Sequence, residues 1–198
     1  EDFEKVINDF TQAASNAKKA GFDGVEIHGA NGYLLDQFLH FNANQREDEW
    51  GRTPENMSRL LIEIIKAVKQ EIQCVGVRLS PAAYFNMNHD PRDVAVFDYL
   101  LSKLNFLELS YVHTGIFEDQ HVDYLAGTVT QYIRRHYHGT VIANGNYSPD
   151  AAGKAVSRGD ADLVAIGRPM IANPDYIEKV RTQSPLIEYH ESMLLELN

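Results

Sequence analysis

Apolar positions along the chain recur in two alternating rhythms. Phe3, Val6, Ile7, Phe10, Ala13, Ala14 and Ala17 fall on one face at helical spacing and predict a helix over Phe3–Lys19, with Gly21 as its C-terminal cap. A short apolar strand follows and ends at His28, and a short helix then carries Tyr33 to Leu39. Residues His40–Gly51 are polar and predict a long loop. Thr53 caps the next helix, with Pro54 at its first position. Met57, Leu60, Leu61, Ile64, Ile65, Val68 and Ile72 give that helix its apolar stripe. Cys74–Ser80 predicts a second strand, stopped by Pro81, and a loop with Asn86, Asn88 and Pro91 leads to a helix over Arg92–Leu104. The third strand is expected at Asn105–Ser110, with His113, Gly115 and His121 in the loop after it. Then come a helix over Thr128–Tyr137 and a strand over Thr140–Ala143. Ser148 or Asp150 opens a small-residue helix over Ala151–Ser157, a fifth strand spans Ala161–Ile166, and a last helix spans Pro174–Arg181.

Short apolar strands that alternate with amphipathic helices imply a parallel sheet. Two architectures satisfy the pattern: an open doubly wound sheet, or a (β/α)8 TIM-type barrel that is incomplete in this chain. The second is preferred. A full barrel needs about 250 residues and eight strands, whereas 198 residues supply about five βα units and open on a helix with no strand before it to cross over from. The length suggests a single domain, residues 1–198.

Composition narrows the partners. A formal net charge of -10 argues against nucleic acid and against an anionic membrane surface. No apolar run reaches the roughly 18 residues of a spanning helix. The one cysteine, Cys74, is expected as a small core residue; it can form no internal disulfide, which favours a reducing compartment, the cytoplasm. The unpaired edges of an open sheet would favour a homo-oligomer or a complementing amino-terminal segment.

Candidate chemistry gathers in Gly24–Leu39, a strand, a Gly-rich turn and a helix. The turn sets His28, Asn31 and Tyr33 at the carboxyl end of a strand, where α/β folds build their active sites. A Schiff-base mechanism would want a lysine at a strand end; Lys66, Lys69, Lys103 and Lys154 all fall on predicted helices. A P-loop is absent, and His113, His121, Asp119 and Asp123 match no tight metal-ligand spacing. These histidines are expected to line the mouth of the site or face solvent. Arg46, Asp48 and Trp50 are expected to fix the long loop.

The stretch His28-Gly-Ala-Asn31-Gly-Tyr33-Leu-Leu-Asp-Gln-Phe-Leu39 closely resembles the old yellow enzyme family of FMN-dependent NAD(P)H oxidoreductases, the flavin ene-reductases. The resemblance continues through Asn44–Gly51, Glu55-Asn56 and Arg59. It resumes at Val77-Arg78-Leu79-Ser80-Pro81, at Asn144-Gly145-Asn146-Tyr147 and at Gly167–Asp175, in the family's order and at about its spacings. Two departures stand out: Arg52 follows Gly51 where the family usually has a second glycine, and Tyr189–Asn198 does not resemble the family's tail. The blocks imply the carboxyl-terminal part of the barrel, lacking the first three strands.

The resemblance also implies roles. His28 and Asn31 would donate hydrogen bonds to the carbonyl oxygen of a small α,β-unsaturated substrate, hydride would arrive from N5 of reduced FMN, and Tyr33 would deliver a proton to the α-carbon. NADH or NADPH would be the reductant. Arg78 would lie near the N1/O2 side of the flavin, and Gly145, Asn146, Gly167 and Arg168 would hold its phosphate. The competing expectation is a partial, non-catalytic barrel module that works by association, or a phosphate-binding barrel fragment of unrelated chemistry.

Overall fold

The computed structural model describes residues 3–82, 84–85 and 87–195; the loop residue Asn86 and the tail residues 196–198 lie outside them. In chain order the elements are α1 (Phe3–Lys19), β1 (Gly24–Gly29), α2 (Leu34–Phe38), α3 (Pro54–Glu71), β2 (Cys74–Leu79), α4 (Asp93–Leu104) and β3 (Tyr111–Thr114). They continue with α5 (Val129–His136), β4 (Val141–Ala143), α6 (Pro149–Ser157), β5 (Leu163–Val164), α7 (Arg168–Ala172) and α8 (Tyr176–Thr182).

All strand pairs are parallel, and the spatial order β1-β2-β3-β4-β5 is the chain order. A doubly wound sheet reverses its strand order at a switch point; this one never does. Sequential parallel strands joined by helices are the winding of a (β/α) barrel, so the chain forms five units of an incomplete one. α1 ends as expected: Gly21 takes φ 89°, Phe22 N–H donates to Ala17 O and Gly21 N–H to Lys18 O, the Schellman arrangement. Thr53 and Pro54 open α3, with Thr53 Oγ1 accepting from Asn56 N–H.

Alternation along the strands gives the sheet two faces. Ile27, Val75, Val77, Leu79, Val112, Val141 and Ala143 are buried in the core with Leu60, Leu61, Ile64 and Ile65 of α3 and Phe97, Leu100 and Leu101 of α4. The opposite face, the interior of a closed barrel, carries the rows Glu26–Gly76–Tyr111 and His28–Arg78–His113–Ile142–Leu163. The rows are in register, so the Tyr111 ring lies over Gly76, where a Cβ would come within 2.2 Å of it.

Several expectations are corrected. The third strand is Tyr111–Thr114, not Asn105–Ser110. Residues 105–108 form a turn: Asn105 closes α4, its side chain donates to His136 O at 2.8 Å, and Glu108 takes φ 48°. Leu107 and Leu109 alternate and pack on the core, which imitates a strand, but the ladder starts only after Ser110 N–H reaches Val75 O at 2.9 Å. His113 is therefore a strand residue. Cys74 is exposed rather than a core residue, because the first position of β2 points away from the helices that bury Val75. The fifth strand shortens to Leu163–Val164, and α7 adds a helix at Arg168–Ala172 that periodicity did not reveal.

Candidate active site

The turn after β1 is built from two consecutive left-handed residues, Asn31 at φ 60° and Gly32 at φ 71°, closed by Tyr33 N–H donating to Ala30 O at 3.3 Å. Asparagine tolerates that region and glycine has no Cβ to oppose it. Asp36 Oδ2 accepts from Gly32 N–H at 2.8 Å, and Gln37 Nε2 donates to Gly32 O at 2.7 Å, so the first turn of α2 grips the loop. Tyr33 emerges half-exposed, at 53%, with its ring centroid 5.5 Å from that of His28. Burial, then the charge of neighbouring Arg78, lowers the pKa of His28 against the opposing pull of Glu26 and Asp36. At neutral pH His28 is therefore an uncharged imidazole with one N–H to donate.

Asn31 is anchored to the segment that follows β2. Its N–H donates to Ser80 Oγ at 3.0 Å, Ser80 Oγ donates to Gly115 O at 2.7 Å, and the Tyr84 hydroxyl donates to Asn31 Oδ1. Arg78 projects on the interior face, where its Nε donates to Thr114 O at 3.3 Å and its Nη2 to Asn144 Oδ1 at 3.2 Å. Next to it, Glu26 accepts from His113 Nδ1 at 2.9 Å. Burial alone would raise the Glu26 pKa; the hydrogen bonds from His113 and Tyr111, with the charges of His113 and Arg78, bring it below the usual carboxylate value. His113 is thus hydrogen-bonded to Glu26 on the interior face and neither lines the mouth nor faces solvent: its side chain is 14% exposed.

Arg78, Asn144, Asn146, Gly167 and Arg168 line one cavity of about 250 Å³, together with Tyr84 and Phe117. Its volume falls short of the roughly 300–1,000 Å³ of a closed small-molecule site. The Arg168 guanidinium stacks on the Phe117 ring at 4.4 Å, which leaves its edge free to meet an anion. Gly145 stands behind the cavity wall at φ 144°, and a Cβ there would lie 2.5 Å from Asp119 N. Asp119 N–H donates to Gly145 O at 3.1 Å, while the Asp119 carboxylate takes the Tyr147 hydroxyl, Thr128 Oγ1 and Thr130 N–H. The turn after β4 is therefore stapled to the start of α5. Gly145→Ala is expected to cost ~1–3 kcal/mol through strain and contact together, read as a lower urea midpoint at unchanged slope.

The structure thus brings the predicted residues together in two neighbouring groups, His28 with Asn31 and Tyr33, and Arg78 with Asn146, Gly167 and Arg168; Gly145 backs the second. Sequence reading missed Ser80 and Tyr84, whose roles depend on contacts about 50 residues away in the chain. It also missed a fully buried trio. His40 lies between Asp36 and Asp93, at 3.1 and 2.8 Å, and Asp93 also accepts from Phe41 N–H at 2.8 Å. The i,i+4 spacing of Asp36 and His40 was the available signal. Around the long loop, Trp50 stacks on Phe3 with centroids 4.0 Å apart, Trp50 N–H donates to Asp48 Oδ1 at 3.0 Å, and Arg46 pairs with Asp48. Among the described residues no helix is long and apolar enough to cross a membrane.

A sequential parallel βα sheet, with Arg78 near the carboxyl end of β2, a glycine turn after β4 and Gly167-Arg168 after β5, defines a segment of a (β/α) barrel. The chain belongs to the NADH:flavin oxidoreductase / NADH oxidase family, whose sequence model matches residues 1–186. It is 41% identical over 194 residues to 12-oxophytodienoate reductase 1 of Oryza sativa subsp. japonica, covering 95% of this chain and 51% of that protein. It is 38% identical over 196 residues to 12-oxophytodienoate reductase 2 of Arabidopsis thaliana, covering 97% and 52%. Among solved structures, morphinone reductase in complex with tetrahydroNAD superimposes with a TM-score of 0.87 at 34% identity, covering 97% of this chain and 52% of that one. The old yellow enzyme homologue from Zymomonas mobilis does so with a TM-score of 0.87 at 31% identity, covering 97% and 55%. The chain spans about half the length of the curated relatives it matches.

Proposed function

We propose that the chain carries the carbonyl-binding, proton-donating and phosphate-binding side of an FMN-dependent NAD(P)H oxidoreductase that reduces the C=C bond of α,β-unsaturated carbonyl compounds. The observation that carries this reading is one cavity that offers two guanidinium groups and two asparagine amides, beside a turn that pairs His28 with Tyr33. Such donors suit an anionic phosphate joined to a polar planar ring. Arg168, with the turns at Gly145-Asn146 and Gly167, would hold the phosphate, and Arg78 would face the N1/O2 side of the ring. Bound FMN would supply hydride from N5 after reduction by NADH or NADPH.

The rest is the work of this chain's own side chains. Neutral His28 and the Asn31 amide donate to the substrate carbonyl oxygen, which gains negative charge as its alkene is reduced. His28 needs no charge for this, only the N–H its lowered pKa leaves in place. Tyr33, exposed beside His28, gives its phenolic proton to the α-carbon on the open side of the turn. Arg78 cannot swing freely, since Thr114 O and Asn144 Oδ1 both hold its guanidinium.

The reading is tested by anaerobic reduction of the FMN-loaded protein with NADH or NADPH, followed by a cyclic enone. The expected result is loss of the flavin absorbance with the nicotinamide and its return with the enone. A loaded protein whose colour never returns with any enone overturns it.

A further inference from the structure

We propose that Tyr84 is a positioning residue for Asn31. Its hydroxyl donates to Asn31 Oδ1 and so turns the Asn31 NH2 group away from β2, unspent, as the donor a carbonyl oxygen needs. The inference deepens the reading of Asn31 given above and rests on it.

An asparagine amide presents an acceptor oxygen on one side and a two-proton donor on the other, and rotation by half a turn exchanges them. Only one orientation lets Asn31 donate to a ligand. Its backbone is already fixed, at φ 60° and by its N–H to Ser80 Oγ at 3.0 Å, so amide rotation is the remaining freedom. Ser80 does not decide the matter. Its single proton goes to the buried contact with Gly115 O at 2.7 Å, while Asn31 Oδ1 lies at 3.4 Å, the edge of hydrogen-bond range.

Tyr84 does decide it. Asn31 Oδ1 is the one acceptor its hydroxyl reaches among the described residues. If the amide were reversed, two donors would face each other or the phenol proton would be stranded at a half-buried position, and an unsatisfied donor there costs more than the bond contributes. Burial raises the Tyr84 pKa, so the hydroxyl keeps its proton and remains a donor through the neutral range. In the resulting orientation the Asn31 NH2 has no hydrogen-bond partner among the described residues. Tyr84 also lines the cavity that holds Arg78, so one phenol spans the two halves of the site.

The test follows the Asn31 side-chain amide in 15N-labelled protein, without a cofactor or turnover. In the wild type the NH2 group is expected to be as ordered as the backbone in heteronuclear NOE, with no NOE to the Tyr84 ring protons. In Tyr84→Phe, which keeps the ring, the NH2 should become mobile while backbone shifts beyond the turn stay in register. An equally ordered NH2 in Tyr84→Phe overturns the proposal. So do strong NOEs from the NH2 to the Tyr84 ring in the wild type, a result that needs no variant. In the FMN-loaded protein, the dissociation constant for cyclohex-2-enone should rise about three- to tenfold in Tyr84→Phe. If the NH2 is ordered by Tyr84 yet the enone never moves its resonances, the orientation stands and the carbonyl-donor reading falls.

Discussion

His40→Ala is expected to destabilise the protein by about 3–5 kcal/mol, among the larger effects of any single substitution in this chain. His40, Asp36 and Asp93 are fully buried, and the imidazole bridges the two carboxylates through both ring nitrogens. Removing it leaves two carboxylates facing each other without a cation. Burial by itself would lower the pKa of His40, but the hydrogen bonds and charges of Asp36 and Asp93 outweigh it and hold the value at about 9. The sign of the pH dependence follows. A group whose folded pKa lies above its unfolded value of about 6.5 stabilises fully below that value and loses the contribution as pH rises toward 9. Wild-type stability should therefore fall by roughly 3 kcal/mol between about pH 6.5 and 9 from this group, at about 1.4 kcal/mol per pKa unit. Urea unfolding across that range should show the slope in the wild type and not in His40→Ala; equal slopes would remove His40 as its source. Asp36 also holds Gly32 N–H, so the same loss should loosen the turn that carries Asn31 and Tyr33.

Tyr33→Phe is expected to slow alkene reduction about 10²-fold or more, in line with removal of a positioned acid. Its ring stands against His28 and is half open to the site, and its backbone is set by the turn and not by the hydroxyl. The substitution should therefore leave fold and flavin reduction by NADPH nearly unchanged. The two half-reactions, followed separately by stopped-flow absorbance, check this. Equal slowing of both would take the proton-donor role away from Tyr33.

Much of this was legible along the chain, because the signals are local. Alternating short apolar runs and striped helices gave the βα winding, and Thr53-Pro54 and Gly21 gave helix ends that the backbone adopts. The Gly-rich turn expected after the first strand is present, and in it Asn31 and Gly32 both take left-handed backbone. What escaped depends on contacts between distant residues. Leu107 and Leu109 alternate like a strand, yet the turn at Glu108 and the bond from Ser110 to β2 delay the ladder until Tyr111. His113 consequently moved from a loop to the sheet interior, opposite Glu26. Asp93 and Tyr84 look like ordinary loop and helix-end residues until the fold brings them, from 53 positions away, to His40 and Asn31. Cys74 shows the limit of composition: an apolar residue type before Val75-Gly76-Val77 suggests core, but strand alternation puts it on the face of Gly76 and Arg78, away from the helices.

In the proposed site, Arg168 and the turns after β4 and β5 would hold the phosphate end of FMN. Titration of the protein with FMN and with riboflavin, followed by flavin fluorescence, tests it most directly. The expected result is stoichiometric binding of FMN, at least about tenfold tighter than riboflavin, with Arg168→Ala closing most of that gap. Equal affinity for the two flavins, or no binding of either, would contradict it.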